Sequence, residues 1–182
     1  IMYNYSVFIG RFQPFHKGHL HVVKEALKQS EQLIMVIGSC GGPRTTRNPL
    51  TFDERVRTIQ SSLPPEELSR VVFTAVPDFM YNDNQWIASV QQAVFSAIHR
   101  KTFVSGPYTV ALAGMSKDES SYYLDIFPQW DSIRVEPPAR VISSTDIRNS
   151  FFRGSGDWTA DMMRFGALEF SEAMLPVTKQ LE

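Results

Sequence analysis

Cysteine is almost absent from this chain: Cys40 is the single one, so no internal disulfide can form and a small core stapled by crosslinks is excluded. A charge excess is absent too. With 18 Lys plus Arg against 19 Asp plus Glu, the net charge of -1 supplies no global field for a long nucleic acid or an anionic membrane. Any anion site must therefore be local. No stretch of ~18 apolar residues that would span a bilayer appears, and nothing resembles a signal peptide. The expectation is a cytoplasmic protein with neither nucleic acid nor membrane as partner. Internal repeats and low-complexity tracts are missing as well. Ile1, ahead of Met2, reads as a processing remnant outside the fold.

At 182 residues and 43% hydrophobic content, the chain is long enough for one well-buried core, and a single domain over residues 1–182 is expected. Tyr5 to Ile9 reads as a buried strand, followed by a helical stripe of Leu20, Val23 and Leu27. "LIMVIGS" is a second strand running into the loop "CGGPRTTRNP". Thr51 with Glu54 forms a capping box opening a helix with Val56 and Ile59. "RVVFTAV", "YTVALAG" and "DSIRVEPP" read as further strands. Between them fall a helix over Trp86 to Lys101 and a short one at "SSYYLDIF", and after them comes the cap "SSTD" with another helix. This alternation predicts an α/β protein: a Rossmann-like, doubly wound parallel sheet of five or six strands with a small helical C-terminal segment. In such sheets ligands bind beyond the carboxyl ends of the strands.

The first strand-to-helix loop is "GRFQPFHKGH", Gly10 to His19. A helix N-terminus carries unpaired N–H groups and a partial positive charge that collect phosphates. Gly10 and Gly18 would let the backbone approach closely, and His16 and His19, three apart, share one face at the helix start. The residues alone admit a second account, in which His16 is a cap and His19 a surface residue. His21 reads as structural or exposed, and a metal site would need a third ligand that the sequence does not supply nearby.

"GRFQPFHKGH" resembles the HxGH signature of the nucleotidyltransferase superfamily, and its arginine-bearing form resembles nicotinamide mononucleotide (NMN) adenylyltransferases. "ISSTDIRNSFFRG", Ile142 to Gly154, is similar to that superfamily's ISSTxxR element at the start of a late helix. "IGSCGGPRTTRNPLTFDER" resembles the phosphate loop, "YNDNQW" the nicotinamide-side segment, and "SKDESSYYLDIFPQW" the bacterial form fused to a Nudix hydrolase. The resemblance covers a core of about residues 5–158 and leaves a helical tail over 159–182. No Nudix box is found, so no Nudix domain is expected in this chain, and "MLPVTKQLE" reads either as a severed linker or as a true terminus. Two positions depart from the family pattern. Met115 stands where a histidine would follow Gly114, and Asp83, between Asn82 and Asn84, stands where the archaeal form has asparagine three residues before the tryptophan.

The resemblance implies adenylyl transfer from ATP to NMN, giving NAD and pyrophosphate, with Mg²⁺ bound mainly by the substrate phosphates and no dedicated protein ligands. It implies that His16, His19 and Arg11 do the catalytic work. Gly10, Phe12, Gly18, Arg47, Ser143, Ser144, Thr145 and Arg148 would hold ATP, and Trp86, Asn82, Asp83 and Asn84 would hold NMN. From the residues alone, Ser143 or Ser144 is a helix cap, Trp86 is core or a stacking face, and either Arg44 or Arg47 is a surface charge. The resemblance selects Arg47. Homo-oligomeric assembly is expected. Two other classes match parts of the sequence. "GMSK" at Gly114 to Lys117 resembles the KMSKS loop of class I aminoacyl-tRNA synthetases, but it comes early in the strand order, and the chain has neither room nor a basic surface for tRNA. A nucleotide-sensing module without turnover is the other, and an adenylyltransferase for nicotinate mononucleotide, FMN or phosphopantetheine is the nearest enzymatic alternative.

Overall fold

The computed structural model describes residues 2–79, 82–100, 104–116 and 119–181. Ile1, Tyr81 of "YNDNQW", Lys101 at the expected helix end, Lys117 of "GMSK", Asp118 beside it and Glu182 lie outside the described residues.

Among the described residues, five strands form one sheet: β1 (Tyr3–Gly10), β2 (Ser30–Ile37), β3 (Val71–Ala75), β4 (Val110–Met115) and β5 (Asp131–Val135). All pairings are parallel, in the order β3-β2-β1-β4-β5. The chain moves outward from β1 through β2 to β3, then crosses back to place β4 and β5 on the other side of β1. The reversal lies between β1 and β4, which is where a ligand crevice opens in such sheets.

Alternation along each strand sorts the core into two layers. Phe8 and Met35 face one way, onto Val22 and Val23 of α1 (Lys17–Gln29) and Ile59 of α2 (Phe52–Gln60). Val7, Ile9, Ile34 and Val36 face the other way, with Val90 and Val94 of α4 (Asp83–Ile98) and Leu124 of α5 (Glu119–Ile126). Helices thus cover both faces, as the near-continuous apolar runs of β1 and β2 demand. A third cluster gathers Ile147 of α6 (Ser144–Phe152), Trp158 of a 3-10 turn (Asp157–Asp161) and Phe170, Met174 and Val177 of α7 (Arg164–Leu181) around Leu50. That is the helical C-terminal segment, tied to the sheet domain through the loop before α2.

Several bounds differ from the sequence reading. β2 starts at Ser30, directly after α1 ends at Gln29. Its first three residues are polar and hide the strand from an apolar count, yet Ser30 is buried with its Oγ 2.6 Å from Ser6 Oγ on β1. α4 starts at Asp83 rather than Trp86, because Asn82 Oδ1 accepts the Gln85 N–H at 3.0 Å and caps the helix. The short α3 (Pro65–Leu68) was not expected. β5 stops at Val135, ahead of Pro137 and Pro138, which cannot donate to a ladder.

Candidate active site

At the end of β1 the chain turns through Arg11 to His16 before α1 begins. Phe12 adopts a left-handed φ of 53°, which folds its ring back into the core against Phe8 (5.2 Å), Phe15 (5.9 Å) and His19 (5.0 Å). The two glycines serve this packing. A Cβ on Gly10 would meet the Phe12 ring at 2.9 Å, and one on Gly18 would meet His16 Cε1 at 2.8 Å. The close approach expected at both positions is therefore made first by the protein's own rings.

His16 caps α1, and its Nδ1 accepts the Gly18 N–H (3.0 Å) and the His19 N–H (3.4 Å). His19 reaches back, its Nδ1 accepting the His16 N–H at 3.1 Å. The pair is a capping box built from imidazoles. With both Nδ1 atoms acting as acceptors, each neutral ring carries its proton on Nε2 and has that N–H to donate. Burial pushes the pKa of His16 down to about 3. Burial, and secondarily the neighbouring His16, holds His19 well below the usual histidine range. Two neutral N–H donors result, and the helix N-terminus adds its own partial charge. His16 is thus the cap of α1 through Nδ1, which leaves its Nε2–H available to donate.

The second helix N-terminus docks onto the same loop. Ser143 is the cap of α6, its Oγ accepting the Asp146 N–H at 3.4 Å. Ser144 Oγ donates instead to the Pro14 carbonyl (3.0 Å). Buried Arg148 donates through Nη1 to the Gln13 carbonyl (2.7 Å) and through Nη2 to Thr145 Oγ1 (3.3 Å). Gln13 clasps the Leu50 backbone in turn, its Nε2 donating to the carbonyl at 3.0 Å and its Oε1 accepting the N–H at 2.9 Å. The two helix N-termini and the loop before α2 are thereby locked together.

Two adjoining cavities open at the carboxyl edge of the sheet. One, of about 390 Å³, is lined by Gly10, Arg11, Phe12, His16, Gly18 and His19 on one side and by Ser143, Ser144, Thr145 and Arg148 on the other. Met115, Val141 and Ile142 give it apolar walls. The other, of about 660 Å³, is lined by Arg11, Ser39, Arg47, Asp78, Asp83, Trp86 and Tyr123. Arg11, Gly10, Ile9 and Tyr123 border both.

The structure separates the two arginines of the β2–α2 loop. Arg44 is engaged by buried Glu54, Nη1 to Oε1 at 2.7 Å and Nη2 to Oε2 at 3.0 Å, while Glu54 also completes the capping box with Thr51. Arg47 is exposed on the rim of the larger cavity. On that side Trp86 is half-buried, its ring 5.2 Å from Tyr123 and 6.0 Å from Phe127. It is partly core and partly wall. Asp83 faces the same cavity, whereas Asn82 serves as the α4 cap and neither Asn82 nor Asn84 lines either cavity. His21, outside the HxGH spacing, bonds the Glu136 carbonyl at 3.1 Å.

One residue of the site was not singled out from sequence. Arg55, 1% exposed, donates to the carbonyls of Gly38 (2.6 Å), Arg11 (3.0 Å) and Thr51 (3.2 Å), and to Cys40 Sγ (3.3 Å). It ties the carboxyl ends of β1 and β2 together from beneath. Its position one turn into a capped helix was visible in "TFDER", but three of its four partners are backbone carbonyls, which leave no mark in the sequence. Among the described residues, no group of three His, Cys, Asp or Glu is arranged to hold a metal ion, and no helix is long and apolar enough to cross a membrane.

Comparison with known proteins finds relatives over most of the chain. The cytidylyltransferase-like family matches residues 7–150. The chain is 38% identical over 152 residues to the nicotinamide/nicotinic acid mononucleotide adenylyltransferase of Acinetobacter baylyi, covering 84% of this chain and 77% of that one. It is 34% identical over 128 residues to the nicotinamide-nucleotide adenylyltransferase of Saccharolobus solfataricus, covering 69% and 70%. A crystal structure of the bifunctional NMN adenylyltransferase/ADP-ribose pyrophosphatase of Francisella tularensis, complexed with AMP and a manganese ion, superposes with a TM-score of 0.74 at 34% identity. The match covers 88% of this chain but only 44% of the Francisella protein. The chain belongs to the cytidylyltransferase-like family of nucleotidyltransferases, and within it to the nicotinamide-nucleotide adenylyltransferases.

Proposed function

We propose that this chain transfers the adenylyl group of ATP to NMN, releasing NAD and pyrophosphate, with residues 1–182 acting as one catalytic unit. The observation that carries the reading is the pair of neutral imidazoles, each with its Nε2–H to donate, in the wall of a cavity that meets a second one at Arg11. ATP occupies the smaller cavity, with its phosphates between the N-termini of α1 and α6. The mononucleotide occupies the larger cavity, its ring against Trp86. Its 5′-phosphate attacks the α-phosphorus in line, and pyrophosphate departs.

A phosphate monoester is already ionised at pH 7, so no general base is required. The work is to align the two phosphates and to stabilise charge on the α-phosphoryl oxygens and the leaving pyrophosphate. His16 and His19 donate to those oxygens, Arg11 bridges the two substrates, and Arg47 closes over the triphosphate from its exposed loop. Arg148 acts through its hold on the Gln13 carbonyl, and Ser143 and Thr145 keep the α6 N-terminus presented. Mg²⁺ would be held mainly by the ATP phosphates and would neutralise part of their charge. A cytoplasmic setting suits the reading, since the lone thiol of Cys40 stays reduced there.

The test is a pyrophosphate-release assay with ATP, Mg²⁺ and four acceptors: NMN, nicotinate mononucleotide, FMN and phosphopantetheine. Turnover with NMN well above that with FMN or phosphopantetheine is expected. Preferential turnover of either of the latter two would overturn the assignment.

A further inference from the structure

We infer that Arg44 is the positioning residue for Arg47: it closes the base of the turn that carries Arg47 and so aims that guanidinium at the substrate phosphates. This rests on the phosphate role proposed above for Arg47. Arg44 and Pro49 flank residues 45–48, and Arg44 Nη1 donates across that segment to the Pro49 carbonyl at 2.9 Å. The turn is bonded inside as well. The Thr45 N–H donates to the Asn48 carbonyl at 3.3 Å, and the Asn48 N–H donates to Thr45 Oγ1 at 3.0 Å. Arg47 is exposed within this turn, on the rim of the larger cavity.

The two sides of the turn are held differently. After it, the backbone of Leu50 is clasped by Gln13. Before it lie Gly41 and Gly42, where an added Cβ would meet nothing within 4 Å beyond the chain neighbours, so side-chain packing does not fix the chain there. Arg44 supplies the hold: its guanidinium forks onto both oxygens of Glu54 on α2, a geometry that sets direction as well as distance. Burial raises the pKa of the Glu54 carboxyl, but the bonds from Arg44 and Thr51 outweigh it and keep the group below the usual carboxylate range. The pair therefore stays charged near neutral pH. An arginine that closes over phosphate gives up chain freedom as it does so, and a pre-set loop has less to give up. With its base fixed, only the short turn itself has that freedom. An ion pair that merely stabilised the fold would act on the rate in the same proportion whether or not Arg47 were present.

The experiment is a double-mutant cycle on kcat/KM for ATP, at saturating NMN and Mg²⁺, in the wild type, Arg44→Met, Arg47→Ala and the double variant. Thr45→Val, with and without Arg47→Ala, loosens the same turn by a second route, since it removes the acceptor of the Asn48 N–H and leaves the bonds to Glu54 in place. Arg47→Ala should lower kcat/KM by roughly 10- to 100-fold, the range for a hydrogen bond to a charged group. Arg44→Met should lower it by roughly three- to tenfold while Arg47 is present, and by no more than about twofold once Arg47 is alanine. Thr45→Val should show the same dependence on Arg47 with a smaller fall. A lower folded fraction scales the rate equally in both backgrounds, so it cannot imitate this pattern. Equal falls in both backgrounds, or no fall in either, would overturn this inference while leaving adenylyl transfer intact. A wild type that forms no dinucleotide from ATP and NMN would instead overturn the function proposed above.

Discussion

The imidazoles of His16 and His19 stack with 3.7 Å between ring centroids and 21° between planes, and each Nδ1 is engaged by a backbone N–H of the same helix turn. Two imidazolium ions at that separation would repel strongly, so in the absence of an anion the pair is neutral. Neutral donors fixed in place suit a reaction in which negative charge shifts between oxygens without proton transfer.

Replacing His19 by Ala should lower kcat by about 10²-fold to 10³-fold, the range for loss of one preorganised donor, with little change in the ATP KM. The sequence alone suggests no folding cost. The structure adds one: His19 is half of the capping box, and losing it should cost about 1 kcal/mol. His19→Gln can reach back to the cap N–H and should recover stability without recovering turnover. His21→Ala should leave the rate near wild type. Full turnover in His19→Ala would remove this residue from the chemistry.

The pH dependence of stability follows from burial of the same pair. An unfolded histidine titrates near 6.5, whereas folded His16 titrates near 3 and His19 well below 6.5. Between those values the unfolded chain binds more protons, so the contribution of these residues is fully present above pH 6.5 and is lost as pH falls toward 3. Thermal melts over that range should show Tm falling with pH, and less steeply in His16→Asn, which keeps a capping side chain but cannot titrate. An identical slope in that variant would contradict the burial argument.

Gly18→Ala tests the cradle beneath His16. Alanine favours the helix, but its Cβ would meet the His16 ring 2.8 Å away, so the ring must move and the cap it makes weakens, at about 1 kcal/mol. A displaced donor predicts a fall in kcat of roughly 10- to 100-fold. Unchanged turnover with an unchanged melt would show that the ring position is not critical.

Much of this arrangement was legible in the sequence. The capping box of Thr51 and Glu54, the strand alternation and the position of His16 and His19 at the first helix start are local features, and local spacing reports them. The dual use of His16 as both cap and donor was not legible, because it depends on which ring nitrogen the backbone takes. Gly10 and Gly18 were visible as close-approach positions, but the rings that approach them come from the folded loop. Asn82 looked like a substrate contact and spends its oxygen on the α4 cap. Arg55 was missed because three of its four partners are the carbonyls of Arg11, Gly38 and Thr51, brought together only once β1 and β2 are paired.

Arg55→Met should accordingly be among the costly substitutions outside the apolar core. It would leave the buried Gly38 carbonyl without its Arg55 donor, at about 1 to 3 kcal/mol, read as a lower denaturant midpoint. Arg55→Lys keeps the charge but cannot span the same set of acceptors, and should recover only part of the loss. A near-wild-type midpoint in both variants would contradict the tethering role.

In the proposed reaction the α-phosphoryl group of ATP passes intact to the acceptor phosphate. Incubating the protein with NMN, Mg²⁺ and ATP labelled on the α-phosphorus, and separating the products, tests it most directly. The label should appear in NAD while unlabelled pyrophosphate accumulates in equal amount, and His16→Ala and His19→Ala should slow both together. Label recovered in AMP or ADP, with no dinucleotide formed, would contradict it.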